Sequence, residues 1–428
     1  MRHLSVSSKL FSNNRKKLCG KLPGKAIAVA NANDVLPTNA DGTLPLHPNS
    51  DLFYLSGIEQ EESLLVLFPD CSNPKHREIL FVRQPSEHLK IWEGYKHSKE
   101  DAQKISGIQT VYWTEDFDNI FQLLAAEAEV FYLNENEHSR AANEVETREQ
   151  RFNRKVLKDY PLHKIERLAP HLHDLRFCKS AEEIKLIKQA INVTTNGFRK
   201  VLRMVKPGVT EYEIEAEWAK EFIKCRSKFA YTPIIASGSN ACVLHYLQND
   251  QTCRKGQLLL MDVGACYANY NADLTRTIPV SGKFSRRQKQ VYNSVLRVLR
   301  QCIDNATIGK SLKEWQNDSH DMMTEEMLRL KLITKAQVKK QDPDQPACRK
   351  FYMHGLGHSL GLDVHDVSNG QSVFRENSVF TVEPGIYLPD EGFGVRLEDN
   401  IQITKNGPVN LMSKIPIEAE EIEQIMNR

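Results

Sequence analysis

Residues 354–366 read HGLGHSLGLDVHD, and residues 378–400 read SVFTVEPGIYLPDEGFGVRLEDN. The first segment contains three histidines, His354, His358 and His365. The first two have the spacing of a helical zinc pair, but the glycines at 355 and 357 make a helix improbable there. This spacing alone is therefore weak evidence for a metal site.

The second segment places two acids in strand-like settings. Glu383 follows the apolar run VFTV, and a buried carboxylate in such a run is costly unless it is paired, protonated or bound to a metal. The alternation from Val395 to Glu398 puts Arg396 and Glu398 on one face of a strand, so that Arg396 is a candidate ion-pair partner for Glu398.

A second acidic pair lies upstream, in residues 258–277, LLLMDVGACYANYNADLTRT. If the chain turns back tightly near Tyr267 and Ala268, Asp262 and Asp273 fall opposite each other. Their Cβ atoms would then be about 4.5–5.5 Å apart, and two carboxylates that close repel unless cations neutralise them. One histidine with four carboxylates suits two divalent ions, whereas the structural alternative is a network of buried ion pairs.

Length and composition are those of an ordinary globular protein. The 428 residues favour two domains, and 40% hydrophobic with 26% charged residues is typical of a soluble enzyme. The net charge of +2 gives no reason to expect nucleic acid as a partner, and no apolar run approaches the ~18 residues of a membrane helix. Nine cysteines without a CxxC pair favour a reducing compartment.

The first half of the chain, residues 1–165, is predicted to be an α/β domain. Apolar runs at 26–30, 64–68, 79–82, 111–113 and 130–133 predict strands, and residues 117–126 have helical spacing. The segment NSDLFYLSGIEQEESLLVLF, residues 49–68, is interpreted as two strands joined by a turn at Ser56 and Gly57.

The second half, residues 166–428, is predicted to be an α+β domain. Ser180 with Glu183 and Thr210 with Glu213 match the capping-box pattern, so helices are expected over 180–205 and 211–224. A further helix is expected over 285–305, and these helices should pack on a sheet.

The N-terminus is basic and contains no acid before Asp34. Its basic residues are Arg2, Lys9, Arg15, Lys16, Lys17, Lys21 and Lys25. This composition resembles an organelle transit peptide, but it also suits the first helix of the domain, leading into the strand at 26–30. We favour the helix and hence a cytoplasmic protein, with a mitochondrial location as the alternative.

Four motifs in order resemble one family. The segments DVGACYANYNADLTRT, HGLGHSLGLDVHD, VEPGIYLP and GVRLEDN are similar to the metal-site motifs of the pita-bread metallopeptidases, and most of all to those of aminopeptidase P (Xaa-Pro aminopeptidase). The resemblance covers residues 180–428, and residues 49–68 extend it to that family's N-terminal domain. It implies a pita-bread catalytic domain behind a smaller α/β domain, two manganese ions, peptides with proline second as substrates, and a homodimer or homotetramer.

The resemblance also implies roles for individual residues. Asp262 would hold one metal, Asp273 and Glu398 would bridge both, and His358 with Glu383 would complete the other site. The remaining matches are His245 near the scissile bond, His354 and His365 at the substrate, Tyr387 and Arg396 near the proline pocket, and Trp92, which reaches a neighbouring subunit's active site in some members.

The chemistry of such a site agrees with hydrolysis. A water shared by two divalent ions is a nucleophile at neutral pH, because metal binding lowers its pKa from about 16 toward about 7. Glu383 is expected to move the proton to the leaving nitrogen, and His365 to stabilise the oxyanion. Because the leaving nitrogen is that of proline, the scissile bond is an amide without an N–H.

Two other functions compete with this interpretation. A prolidase shares fold, metals and ligands but cleaves only Xaa-Pro dipeptides. A non-catalytic pita-bread protein that binds peptides, histones or RNA would typically lose metal ligands, and none is lost here. Cobalt and zinc also suit an oxygen-rich site with one histidine, so the identity of the metal stays open.

Overall fold

A computed structural model of the chain describes residues 3–138, 140, 144–342, 345–368, 370 and 372–428. Of the basic N-terminal residues, Arg2 lies outside this set. The described chain divides into two units, His3–Arg176 and Phe177–Arg428. No helix in these ranges is long and apolar enough to cross a membrane.

The N-terminal unit contains a six-stranded mixed sheet. Its strands are β1 (Ala26–Asn31), β2 (Leu64–Leu67), β3 (Glu78–Val82), β4 (Thr110–Trp113), β5 (Val130–Leu133) and β6 (Lys164–Arg167). Their order across the sheet is β4-β3-β2-β1-β5-β6, with β2 antiparallel to both of its neighbours and the other pairs parallel. The five strands predicted from apolar runs are therefore confirmed.

Seven helices accompany this sheet in the described residues. They are α1 (Ser8–Cys19), α2 (Ser50–Ser56), α3 (Glu87–Trp92), α4 (Lys99–Ser106), α5 (Phe117–Glu127), α6 (Arg148–Asp159) and α7 (Ala169–Phe177). The basic N-terminal segment does form a helix, and Arg15 on its buried face donates from Nε to Glu78 Oε2 at 3.0 Å and from Nη1 to Leu55 O at 2.8 Å.

Two details of the prediction need correction. Residues 50–56 form α2 and not a strand, because the Asn49 side chain caps the helix N-terminus and Gly57, at φ 70°, ends it. The predicted boundary at 165/166 falls inside β6, which pairs with β5. The two units divide after Arg176, near the end of α7.

Glu149 is buried in the N-terminal unit without a cation beside it in the contacts that the structure gives. Its Oε1 accepts from Asn31 N at 3.1 Å, and its Oε2 accepts from Asn31 Nδ2 at 2.7 Å. Burial raises the pKa of Glu149 to about 8, and nearby Asp51 adds to the shift. The native state therefore holds a proton that the unfolded chain loses above about pH 4.5.

We expect Glu149→Gln to stabilise the protein at pH 8 but not at pH 5. A raised carboxyl pKa means that the free energy of unfolding falls as the pH rises from the unfolded toward the folded pKa, and a glutamine removes this loss. The expected gain at pH 8 is on the order of 2 kcal/mol, since each pKa unit is worth about 1.4 kcal/mol and the new amide must find partners. Urea unfolding at both pH values measures it; an equal change at both would contradict the prediction.

The second unit combines helices with small antiparallel sheets. Its strands are β7 (Lys228–Phe229), β8 (Ile234–Ser237), β9 (Leu258–Asp262), β10 (Ala265–Tyr267), β11 (Tyr270–Asn271), β12 (Thr275–Pro279), β13 (Val379–Val382), β14 (Gly385–Leu388), β15 (Phe393–Arg396), β16 (Asp399–Thr404) and β17 (Gly407–Asn410). The sheets are β11-β10-β7, β12-β9-β8, β13-β16-β17 and β14-β15. This is the α+β architecture that the sequence predicted.

The three helices that the sequence predicted in this unit are confirmed, and the described residues contain three more. They are α8 (Ala181–Met204), α9 (Glu211–Lys224), α10 (Arg286–Asp304), α11 (Leu312–Arg329), α12 (Lys335–Lys339) and α13 (Ala419–Met426). Ser180 caps α8, and its hydroxyl accepts from Glu183 N at 3.3 Å. Helix α8 packs closely on α9, because a Cβ added to Gly197 would lie 2.5 Å from the Trp218 ring.

The hairpin that carries the aspartates turns one residue later than predicted. Ala268 and Asn269, at φ 49° and 63°, form the turn, and Tyr267 pairs with Tyr270. Asp262 therefore pairs with Thr275 and not with Asp273. A shift of two residues keeps Asp273 on the same face as a diagonal neighbour of Asp262, because side chains alternate with period two.

Candidate metal centre

Asp262 and Asp273 are connected through the hydroxyl group of Tyr231. The Tyr231 Oη lies 2.5 Å from Asp262 Oδ1 and 2.5 Å from Asp273 Oδ1. A phenol carries one proton, so it donates to one carboxylate at a time. Burial, together with the two aspartates, raises the pKa of Tyr231 well above its ordinary value. The hydroxyl therefore stays protonated and holds the two acids side by side.

His358, Asp273 and Glu398 form a cluster of metal-ligand type. Each offers one ligand atom, and these atoms lie within 4.8 Å of one another. The His358 Nε2 is 3.5 Å from Asp273 Oδ2, and its Nδ1 is 3.1 Å from the Ser359 carbonyl oxygen. Because that carbonyl only accepts, Nδ1 carries the proton and Nε2 faces the carboxylates.

The backbone around His358 is held by a close approach to β13. A Cβ on Gly357 would lie 2.1 Å from the Thr381 carbonyl oxygen, so that only glycine fits there. The same approach lets His358 N donate to Thr381 Oγ1 at 3.0 Å and Thr381 N donate to His358 O at 2.9 Å. As predicted, residues 354–368 contain no helix.

Glu398 is 1% exposed, and only one of its two carboxylate oxygens has a hydrogen-bond partner among the described residues. Its Oε2 accepts from Thr275 Oγ1 at 2.8 Å, whereas its Oε1 has no hydrogen-bond partner among the residues that the structure describes. Burial raises the pKa of Glu398 well above its ordinary value, and Asp273 and Glu383 add to the shift. A buried acceptor of this kind is costly unless something electropositive meets it.

Glu383 directly follows the last residue of β13, so it lies just outside the strand in which its strand-like setting was expected to place it. Its backbone N–H donates to Leu356 O at 2.7 Å, and its Oε1 lies 3.6 Å from His358 Nε2. Burial raises the pKa of Glu383 to about 7; His358 and Arg396 oppose the shift, and Asp273 adds to it.

Arg396 pairs with Asp262 and not with Glu398. Its Nη2 donates to Asp262 Oδ2 at 2.7 Å, and its Nε donates to Thr275 Oγ1 at 3.2 Å. Thr275 also contacts Glu398, so Arg396 and Glu398 do meet the same side chain, although β15 ends at Arg396 and Glu398 lies outside it. The predicted ion pair between them was wrong, because Asp262 approaches from a distant part of the chain.

A chain of hydrogen bonds leads from Arg396 to His354. Arg396 Nη1 donates to the Tyr387 hydroxyl at 2.9 Å, and this hydroxyl donates to His354 Nε2 at 2.7 Å. His354 Nδ1 donates to Gly355 O at 2.8 Å. Burial and then the charge of Arg396 lower the pKa of His354 to about 4, so its imidazole is neutral.

Of the remaining predicted site residues, His365 contacts a predicted metal ligand, whereas His245 and Trp92 are exposed. His365 stacks on His358, with ring centroids 3.7 Å apart. His245 is exposed, and its charge contributes to lowering the pKa of His354. Trp92 ends α3 in the N-terminal unit and is 76% exposed. Its predicted contact with a neighbouring subunit stays a prediction.

The residues present fit divalent metal ions. Asp262, Asp273, Glu383 and Glu398 supply hard oxygen donors, and His358 supplies one borderline nitrogen donor. The Glu398 Oε1 is buried without a hydrogen-bond partner among the described residues, and the raised pKa values of Asp273 and Glu398 mean that burial disfavours their ionised forms. Cations at this place would meet the Glu398 oxygen and stabilise the ionised carboxylates.

Three supporting residues were not found by the sequence analysis. They are Tyr231 beside the aspartates, Thr275 between Arg396 and Glu398, and Asn400, whose side chain accepts from Asp273 N at 3.1 Å and donates to Asp273 O at 2.7 Å. Thr275 and Asn400 belong to the motifs quoted above, so their proximity to the acids was a usable signal. For Tyr231 we find no local signal.

Comparisons with known proteins identify the family of the chain. Residues 185–405 match metallopeptidase family M24, and residues 11–132 match the N-terminal domain of aminopeptidase P. An Xaa-Pro aminopeptidase of Haemophilus influenzae is 34% identical, covering 91% of this chain and 90% of its own. That of Escherichia coli is 33% identical over 98% of both chains.

Solved structures give the same result for the fold. Zinc-substituted Escherichia coli aminopeptidase P in complex with product has a TM-score of 0.86 at 28% identity, covering 99% of each chain. Pseudomonas aeruginosa aminopeptidase PepP has a TM-score of 0.89 at 29% identity, covering 99% of this chain and 98% of its own. The chain thus belongs to the M24 metallopeptidases, with an aminopeptidase P N-terminal domain and a pita-bread catalytic domain. Within that family it is a metallo-aminopeptidase of the Xaa-Pro aminopeptidase type.

Replacing Tyr231 by phenylalanine is expected to weaken Mn²⁺ binding roughly 10- to 100-fold, the usual cost of losing a group that orients metal ligands. Without the hydroxyl, Asp262 and Asp273 lose their shared donor. Titration of metal-stripped protein with Mn²⁺, followed by the electron paramagnetic resonance of the free ion, measures the affinity. Tyr212→Phe, at an exposed tyrosine of the same unit, is the control. Equal affinities in wild type and Tyr231→Phe would contradict the prediction.

Proposed function

We propose that this protein removes the N-terminal residue from peptides whose second residue is proline, using two divalent ions held by Asp262, Asp273, His358, Glu383 and Glu398. The observation that carries this proposal is the half-satisfied Glu398 carboxylate within a cluster whose ligand atoms lie within 4.8 Å. In the proposed arrangement Asp262 would hold one ion, His358 and Glu383 would hold the other, and Asp273 and Glu398 would contribute to both.

When bound, the ions would acidify a water molecule and polarise the carbonyl of the first residue. The chain's own part is to hold and move protons. Glu383 is assigned to accept the proton of the attacking water and to deliver it to the proline nitrogen. An amide nitrogen must gain a proton before it can leave as an amine, and the proline nitrogen would receive this proton from Glu383.

The histidines and Arg396 are assigned to the substrate. We assign His365, which stacks on His358, to stabilising the oxyanion, and the exposed His245 to the region of the scissile bond. His354 is neutral and is held by Tyr387. We assign Tyr387 and Arg396 to the pocket that receives the proline ring.

The metal, the assembly and the location are further parts of the proposal. Manganese is the expected ion, with cobalt and zinc as alternatives for such an oxygen-rich site. A homodimer or homotetramer is expected, with the exposed Trp92 reaching a neighbouring subunit's active site. We assign the protein to the cytoplasm, and a mitochondrial location is the alternative.

Peptide length separates this proposal from a prolidase. Purified protein supplied with Mn²⁺ is incubated with Gly-Pro and with Gly-Pro-Xaa tripeptides, and the products are separated by liquid chromatography. An aminopeptidase releases glycine from the tripeptides. Cleavage of the dipeptide alone would establish a prolidase, and cleavage of neither, with Mn²⁺ bound, would favour a peptide-binding protein.

A further inference from the structure

A buried ion pair lies behind the histidines of the candidate centre. Lys179 Nζ is 2.9 Å from Asp366 Oδ2, and both side chains are 1% exposed. Lys179 directly precedes the residue that caps α8, and Asp366 directly follows His365. In many proteins the desolvation of two buried charges costs as much free energy as their attraction returns. Stabilisation of the fold is therefore a weak explanation for this pair, and its contacts indicate a different role.

The Asp366 carboxylate has almost no freedom to move. A Cβ added to Gly361 would lie 2.2 Å from Asp366 Oδ2 and 2.9 Å from Lys179 Cε, so the ion pair packs directly on the glycine backbone. Gly361 is itself held by the hairpin, because Asn271 N donates to its carbonyl oxygen at 3.0 Å. The lysine therefore fixes one end of the loop 354–366.

The Ser359 carbonyl oxygen connects Asp366 to His358 through two hydrogen bonds. Asp366 N donates to Ser359 O at 2.8 Å, and the same oxygen accepts from His358 Nδ1 at 3.1 Å. His365, next to Asp366, stacks on the His358 ring at 3.7 Å. A displacement of Asp366 would thus disturb both the stack and the hydrogen bond that orients His358.

We propose that Lys179 and Asp366 are positioning residues, whose buried ion pair fixes the stacked rings of His358 and His365 for metal binding and turnover. The catalytic part of this inference rests on the proposed function, whereas the metal-binding part does not. Orienting groups behind metal ligands contribute roughly 10- to 100-fold in affinity or activity.

The test separates positioning from stability by removing both charges together. The double variant Lys179→Met/Asp366→Leu keeps similar side-chain volumes and removes both charges of the pair together, so we expect its melting temperature to stay close to that of wild type. We nevertheless expect Mn²⁺ affinity to fall roughly 10- to 100-fold, and kcat to fall more than KM rises. The matched control is Asp51→Leu/Arg176→Met, which removes a buried 2.7 Å pair from the N-terminal unit and should leave Mn²⁺ affinity unchanged.

A double-mutant cycle that combines this variant with His365→Ala tests whether the Lys179–Asp366 pair acts through the stacked rings of His358 and His365. If it does, the loss of kcat in the combined variant is smaller than the product of the separate losses, because coupled residues are not additive. Gly361→Ala is a second variant that displaces Asp366 without removing a charge, and it should weaken Mn²⁺ binding in the same direction. Wild-type Mn²⁺ affinity in the folded double variant would overturn the inference, as would fully multiplicative losses with His365→Ala. Absence of peptidase activity in wild type would instead refute the proposed function, and the Mn²⁺ titrations would still decide the inference.

Discussion

Replacing Asp273 by alanine is expected to lower kcat/KM for a Gly-Pro-Xaa tripeptide by at least about 10³-fold, more than the 10- to 100-fold typical of outer metal-site partners. Asp273 shares the cluster with His358 and Glu398, and it is assigned to both ions. Its removal takes away a bridging charge and weakens both metal positions. Kinetics at saturating Mn²⁺, together with the metal content of the purified variant, measure the effect.

Asp273→Ala is expected to remain folded, so that a loss of turnover can be attributed to the metal centre. Burial raises the pKa of Asp273, and the neighbouring Asp262 adds to the shift, so its ionised form destabilises the metal-stripped protein at neutral pH. Metal-stripped Asp273→Ala is therefore expected to melt no lower than metal-stripped wild type, and Mn²⁺ should raise the melting temperature of wild type alone. Asp390→Ala, at an exposed acid, is the control. Undiminished turnover by Asp273→Ala would refute the metal-hydrolase mechanism.

Replacing Glu383 by glutamine is expected to lower kcat about 10²- to 10⁴-fold, the range of general acid–base catalysis. Glutamine keeps the size and an oxygen donor but cannot carry the proton from the water to the proline nitrogen. Because Asp273, His358 and Glu398 keep their cluster, we expect the variant to retain more Mn²⁺ than Asp273→Ala. Pre-steady-state kinetics with metal analysis separates the two losses.

The comparison that decides the role of Glu383 is kcat at equal metal occupancy. Glu391→Gln, an exposed glutamate paired with Arg287, provides the control for loss of charge. If Glu383→Gln loses kcat only in proportion to lost metal, the glutamate is a ligand and not the proton carrier. A large loss at full occupancy is the result that the proposed mechanism requires.

The sequence located the site more reliably than it located the partners within it. All five predicted ligands lie in one unit, and each belongs to a short motif that could be recognised in the sequence. Which of them contact each other depends on the strand register, and a single turn residue can change that register. The hairpin turn at Ala268 and Asn269 contains no glycine to mark it, so the register was misplaced by two residues. The period of two kept Asp273 on the correct face despite that error.

Long-range contacts account for the remaining differences. Arg396 was paired with Glu398, two residues away, whereas the structure pairs it with Asp262, 134 residues away in sequence. Tyr231 lies 31 residues before Asp262, and nothing near it indicates a contact with two acids. The short helix α2 is buried from Asp51 to Ser56, and its short apolar run, Leu52–Leu55, does not distinguish a buried helix from a strand.

The proposed mechanism requires two cations per chain, and counting the bound ions tests it most directly. Metal-stripped protein is titrated with Mn²⁺ by equilibrium dialysis, and tripeptide hydrolysis is followed at each occupancy. Two bound ions per chain, with activity that rises with their binding and is absent before it, is the expected result. Binding of no ion, or full activity in the stripped protein, would contradict the assignment of Asp262, Asp273, His358, Glu383 and Glu398.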